Sequence, residues 1–347
     1  MSGPVNVDSA HCGWDYVLGG GAFYAVTVPA PSDFPQGCTI GITNTDVAAC
    51  KGKSIRVAGF SDHFVLWPGQ SVELGNLDNA WIKTIDPGRW RQNCGDNPLI
   101  INTDSTKGTD LRGDSDGLGT GAEAFKSVQF ALQHVLTDFD FAGTPQTRVR
   151  ILMASRSVDP IVVHYTPHAS NPGSQGGAAL KIDGNGGFLT GGVEFYFGAI
   201  VQLRNVTLSN NSGSCLVSTQ NAYVEINDLV TFGACSGPQI AIGTYATVEL
   251  FNDFTISAGA SGFVENHGGT LREDGGTINV SKDVTYSDAV VSAFYPGVTN
   301  LQAAKWALNG HTVTAKKYDV EANHVLTGAA NIPGTVAGTT ANGGQAF

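Results

Sequence analysis

Three segments of the chain repeat one pattern at a fixed interval: VQLRNV from residue 201, VEINDL from 224 and VELFND from 248. Their starts differ by 23 and then 24 residues, and a weaker copy follows near Leu271, through DGGTI (274–278). A period in the low twenties is the mark of a solenoid, in which each repeat buries its apolar face only against its neighbours. The L-x-x-L-x-L-x-x-N frame of a leucine-rich repeat is missing. Short alternating strands and turn residues fit the coils of a parallel β-helix instead. On this reading Val201, Val224 and Val248 stack inside. So do Leu203, Ile226 and Leu250, and likewise Val206, Leu229 and Phe254. Asn205, Asp228 and Asn252 turn the corner, where Asn and Asp tolerate tight backbone and bond to it. Each coil advances the stack by about 4.8 Å, one strand spacing.

The rest of the chain supports an all-β reading. Glycine is very frequent, 45 residues in 347, and charged residues make up only 14%. Strands with tight turns are expected from such a chain, not helices. Residues 23–28, 38–44, 53–59, 63–67, 71–76 and 80–85 alternate apolar and polar side chains between turn signals. Their close spacing predicts a small antiparallel sandwich. The segment 99–121 is rich in Gly, Asp, Ser and Thr and reads as a linker. One amphipathic helix is expected at 122–137, where Phe125, Val128, Ala131, Leu132, Val135 and Leu136 recur at helical spacing. It stands where a solenoid needs a cap. The expected order is therefore an arm at 1–21, a sandwich at 22–98 and a linker at 99–121. A parallel β-helix with its cap helix follows at 122–325, and a tail at 326–347.

The formal charge of −11, with its few basic residues scattered, argues against nucleic-acid binding. No apolar run reaches the roughly 18 residues of a membrane-spanning helix. The start, MSGPVNVDSAHCGWDY, lacks the basic and apolar regions of a secretory signal, so synthesis in a cytosol is expected. Six cysteines, Cys12, Cys38, Cys50, Cys94, Cys215 and Cys235, form no CxxC pair, which argues against zinc. Two readings stand for them: buried reduced thiols, or disulfides formed in an extracellular setting. Cys38 and Cys50 lie in neighbouring strand-like segments, and Cys12 and Cys94 bracket the N-terminal region.

The polar linker, the stretch GTGAEAFKSVQFALQHVL and the coils with Asn corners together resemble the right-handed parallel β-helix family, which includes pectate lyases and phage tailspikes. YAVTVPAPSDFPQGCTIGITNTD, FVLWPGQSVEL and AWIKTIDPGRWR look like N-terminal modules of phage spike or fibre proteins, and IPGTVAGTTANGGQAF looks like their tails. The resemblance implies a virion-associated spike or fibre on tail, neck or head. It also implies a homotrimer made in the bacterial host cytoplasm, an N-terminal module that docks to other virion proteins, and host surface polysaccharide as a partner. No cofactor is implied. The first reading is a structural, non-enzymatic spike, the second a tailspike-type polysaccharide depolymerase acting on host surface glycan, and the third a host-side secreted polysaccharide lyase, disfavoured by the start of the chain.

Catalysis would need specific groups. A pectate lyase pattern of clustered Asp with an Arg base is missing: the coils offer Arg204 and Arg272 without a D-x-x-D-D cluster. Tailspike hydrolases use paired carboxylates roughly 5–9.5 Å apart. Glu225 and Glu249 are the candidates, since both flank inward residues and occupy one site on successive coils. Such closeness raises one of two acids, but a solvated polar ladder continued by Gln202, or a subunit interface, explains the column equally. Asp183, Glu194 and Glu273 are read as further outward carboxylates. His164 and His168 have i, i+4 spacing, which suits a metal only on a helix. Arg112-Gly113-Asp114 and Asp114-Ser115-Asp116-Gly117 resemble an integrin tripeptide and part of a calcium loop, and are read as coincidences of composition. The aromatics Phe195, Tyr196, Phe197, Tyr223, Tyr245, Phe251 and Tyr286 suit either sugar stacking or packing between subunits.

Overall fold

The computed structural model describes residues 3–46, 51–60, 63–88, 99–110, 115, 117–141, 149–154, 156–166, 178 and 180–347. The chain divides into two compact units, Met1–Asp140 and Phe141–Phe347.

In the first unit two small sheets share one apolar core. One sheet holds β1 (Val5–Asn6), β3 (Ala25–Val28), β5 (Lys53–Val57) and β6 (Phe64–Leu66). The other holds β2 (Asp15–Leu18), β4 (Thr39–Asn44), β7 (Ser71–Leu77) and β8 (Ala80–Ile85). The strand positions match the alternation in the sequence, but the purely antiparallel arrangement is corrected. β1, β3 and β5 are parallel, as are β2 and β4, while β5–β6, β4–β7 and β7–β8 are antiparallel. The cause is connectivity. From β1 to β5 the chain crosses to the other sheet at each step, so each strand returns to its own sheet in the direction of its predecessor. Antiparallel pairing between β7 and β8 comes with a tight turn, in which Asp78 and Asn79 both hold positive φ. The segment expected as an arm contributes β1 and β2 to these sheets.

Residues read as linker include strand β9 (Leu99–Thr103). Helix α1 spans Val128–Asp138 and starts later than its periodicity suggests. Ser127 fixes that start: its hydroxyl accepts the Phe130 N–H at 3.1 Å, satisfying one of the unpaired first-turn donors. The helix buries Val128, Ala131, Leu132, His134 and Val135.

The second unit is a parallel β-solenoid, in which strands 23 or 24 residues apart pair in parallel from one coil to the next. Each coil passes along three faces. The first face stacks 180–183, 200–204, 223–226, 247–250, 270–273, 298–300 and 325–327. The second stacks 187–189, 206–210, 231–235, 254–256, 277–280 and 305–307. The third stacks 161–163, 193–195, 216–218, 240–242, 264–267 and 291–294.

Inward columns form as the repeat requires. Val201, Val224, Val248 and Leu271 pair rung on rung, as do Leu203, Ile226 and Leu250, and all are fully buried. A fully buried side chain of this size contributes about 1.5–3 kcal/mol. The third column departs from expectation: Val230, not Leu229, lies between Val206 and Phe254. The corner after Ile226 holds one residue more than the corner after Leu203. Leu229 takes the left-handed turn position at φ 61° and stands 68% exposed. Asp228, expected at that turn position, precedes it.

Cys12 is bonded to Cys38 and Cys215 to Cys235, with Cα atoms 5.3 and 5.7 Å apart. These four cysteines are thus cystines within the chain; Cys50 and Cys94 lie outside the described residues. Polar rungs also occur inside the solenoid. The Asn266 amide donates to Thr299 Oγ1 at 3.0 Å, and Thr299 Oγ1 lies 3.0 Å from His324 Nε2. His324 Nδ1 lies 3.1 Å from the Tyr295 carbonyl, which can only accept. In the neutral ring, which burial favours, the proton sits on Nδ1 and Thr299 donates to Nε2. Burial holds its pKa below the ordinary histidine value, opposed by the bond to Tyr295.

Candidate functional site

Strand alternation on the first face turns every second side chain away from the core. One such column runs Lys181, Gln202, Glu225, Glu249, Arg272 and Asn300 in continuous register. The predicted carboxylate pair is therefore brought together on adjacent coils. A solvated ladder is not what results: Glu225 is 0% exposed and Glu249 5%. The neighbouring outward column explains part of this cover. Ile200 and Tyr223 lie one above the other and form a small apolar cluster with Ala178.

Burial of two acids demands partners, and the column supplies them. The Gln202 amide donates to Glu225 Oε2 at 2.7 Å. The Tyr223 hydroxyl donates to Glu249 Oε2 at 2.6 Å, and Arg272 Nη1 reaches Glu249 Oε1 at 3.3 Å. Burial pushes the Glu249 pKa up, against the pull of Tyr223 and Arg272. Burial and the bond to Glu249 raise the Tyr223 phenol. Lys181 is lowered, first by burial and then by Arg204 and Arg150. Chemically, Glu249 resembles a general acid in its raised pKa. Its hydrogen-bonding capacity, however, is directed to Tyr223 and Arg272 in a covered position.

Asp183 is also buried. Arg150 Nη2 and Arg204 Nε approach its Oδ2 at 2.6 and 3.2 Å, and its Oδ1 accepts the Asn185 N–H at 2.9 Å. Glu273 points inward, in register with Leu250, and is corrected from an outward position. Its Oε1 accepts the Gly275 N–H at 2.9 Å, so it closes the corner backbone; burial raises its pKa. Glu194 is half-buried, and its Oε2 accepts the Tyr196 hydroxyl at 2.5 Å.

At the corner between first and second faces lies a groove of about 620 Å³ lined by Arg204, Asp228, Leu229, Asn252, Asp253 and Asp274, among others. Its polar groups are largely engaged. Asp253 Oδ1 accepts the Thr277 N–H at 2.7 Å, and the Asn252 amide donates to Asn227 Oδ1 at 3.0 Å. Among the described residues no three His, Cys, Asp or Glu side chains gather as metal ligands. His168, Arg112, Gly113, Asp114 and Asp116 lie outside the described residues.

The aromatics take buried, half-buried and exposed positions, with Tyr196 and Phe251 half-buried. Phe195 and Tyr286 are buried, with the Tyr286 hydroxyl donating to Gln239 at 3.0 Å. Phe197 and Tyr245 are exposed at the corner where the third face returns to the first, and Tyr295 joins them there. Sequence reasoning missed Tyr295 because its coil carries no copy of the VxL pattern. Its following Pro-Gly pair is the signal that marks a corner. His164 stacks on Tyr196 with ring centroids 5.4 Å apart. Comparison with known proteins finds no matching family model, no matching curated sequence and no matching solved structure.

Proposed function

We propose that the chain is a structural spike or fibre protein of a bacteriophage virion, projecting from the particle and meeting a host surface glycan. The observation that carries this reading is the outward column of the solenoid. Its two carboxylates are buried and bonded to neighbours, as scaffold groups are, and not held open toward a substrate. The order of a compact N-terminal unit and then a parallel stack also fits a docking module followed by a projecting shaft. In this reading the coils are right-handed, as parallel crossovers almost always are. The first unit binds other virion proteins, and the spike is a homotrimer.

A second reading, a tailspike-type depolymerase, is favoured by one observation: Glu249 has a raised pKa and a carboxylate neighbour on the preceding coil. The two are separated by incubating the purified protein with host surface polysaccharide and measuring new reducing ends. The spike reading expects none above the control. Oligosaccharide release that disappears in Glu225→Gln or Glu249→Gln would overturn it.

A further inference from the structure

Large aromatic residues rarely adopt positive φ, because the side chain crowds the following carbonyl. At one corner of this solenoid three of them do: Phe197 at 48°, Tyr245 at 61° and Tyr295 at 68°. They stand on alternate coils. The intervening coils carry Gln220 and Asn221 at the first gap and Gly268 at the second. All three rings face solvent, at 58%, 76% and 60% exposure. Core packing does not explain exposed rings on strained backbone, and strain of this kind gathers where a surface is used.

We infer that this corner is a binding ridge for an extended, uncharged glycan, with Phe197, Tyr245 and Tyr295 as successive stacking platforms. The axial interval between platforms is two strand spacings, roughly 10 Å. A helical peptide or a compact protein surface has no reason to match that interval, whereas a hexose chain running along the axis presents its apolar C–H faces repeatedly. Those hydrogens complement the negative face of an aromatic ring. Between the rings lie the exposed polar side chains of Gln220, Asn221 and Thr244, suited to sugar hydroxyls. The polar rungs also break the patch, so it lacks the contiguous apolar centre of a protein interface.

Charge selects further. Glu194 sits beside the first platform, bonded to Tyr196, whose ring lies 6.1 Å from that of Phe197. Glu265 sits in the gap before the third, 2.5 Å from His267, whose ring lies 6.0 Å from that of Tyr295. Carboxylates beside the first platform and in the gap before the third oppose an acidic polysaccharide.

The inference deepens the glycan-meeting part of the proposed function but is tested on the isolated chain, so it fails independently of any virion role. The probes are hexasaccharides and disaccharides of glucose, galactose and mannose, with oligogalacturonate as the acidic control, titrated by calorimetry. The expected result is binding of at least one neutral hexasaccharide, weaker binding of its disaccharide, and none of oligogalacturonate. Tyr245→Gly is expected to weaken binding by about tenfold or more, with a Tm equal to or above that of the parent. Phe197→Asn and Tyr295→Asn, which keep a residue tolerant of the turn, are expected to act likewise. Three results overturn the proposal: no neutral hexasaccharide bound at millimolar concentration, preference for the acidic probe, or binding retained in the triple variant. Dissociation of an oligomer by Tyr245→Gly, with glycan binding intact, assigns the ridge to a protein contact and overturns it too.

Discussion

At the residue scale, Leu229 shows how conformational cost can be read and tested. It contributes little burial and holds a left-handed turn that suits Asn or Gly. Leu229→Asn is expected to stabilise the solenoid by about 1 kcal/mol, a rise in Tm of roughly 2–4 °C, measured by thermal unfolding. Two buried titratable groups act in opposite senses. His324 is held neutral with a depressed pKa. Its contribution is complete above the unfolded value near 6.5 and is lost as pH falls from there toward the depressed folded value. Glu249 has a raised pKa, so its ionisation costs stability. That cost is absent below the unfolded carboxylate range and grows as pH rises through the folded value. Urea unfolding across pH 4.5–7.5 checks both: His324→Gln is expected to flatten the acid loss, and Glu249→Gln to reduce the cost near neutrality. Equal pH profiles for parent and both variants would contradict these assignments.

At the element scale the coil corners are the specific feature. Gly276 shows why: a Cβ built there would lie 1.9 Å from the Asn252 carbonyl oxygen of the coil beneath. Gly276→Ala is expected to cost stability comparable to a core truncation such as Ile226→Ala, about 2–5 kcal/mol, measured as a shift of the urea midpoint. The inward columns were legible in the sequence because Val, Leu and Ile alternate with polar residues at a fixed period. Leu229 was misplaced because apolar pattern alone does not show a corner lengthened by one residue. The burial of Glu225 and Glu249 was not legible either: alternation gives the direction of a side chain, not what covers it, and the partners here include Tyr223 of the neighbouring outward column. In the first unit, strand positions followed from alternation, but alternation is blind to strand direction. The mixed pairing depends on which sheet each connection enters.

At the scale of the whole molecule, coils stacked on one another bury a continuous core, while the outward residues are free to serve assembly and recognition. Phe197 and Tyr245 were visible in the sequence as aromatics without an inward place. Their meaning as a ridge required the backbone angles and the coil register. The proposed trimer is expected to give a light-scattering mass three times the chain's 36.1 kDa at micromolar concentration. A mass of one chain would contradict it. The virion assignment is tested most directly by imaging intact phage particles from the producing host with gold-labelled antibody against this chain. Label on projections at a fixed site of the particle is the expected result. Particles that remain unlabelled, while the antibody detects the chain free in the same lysate, would contradict it.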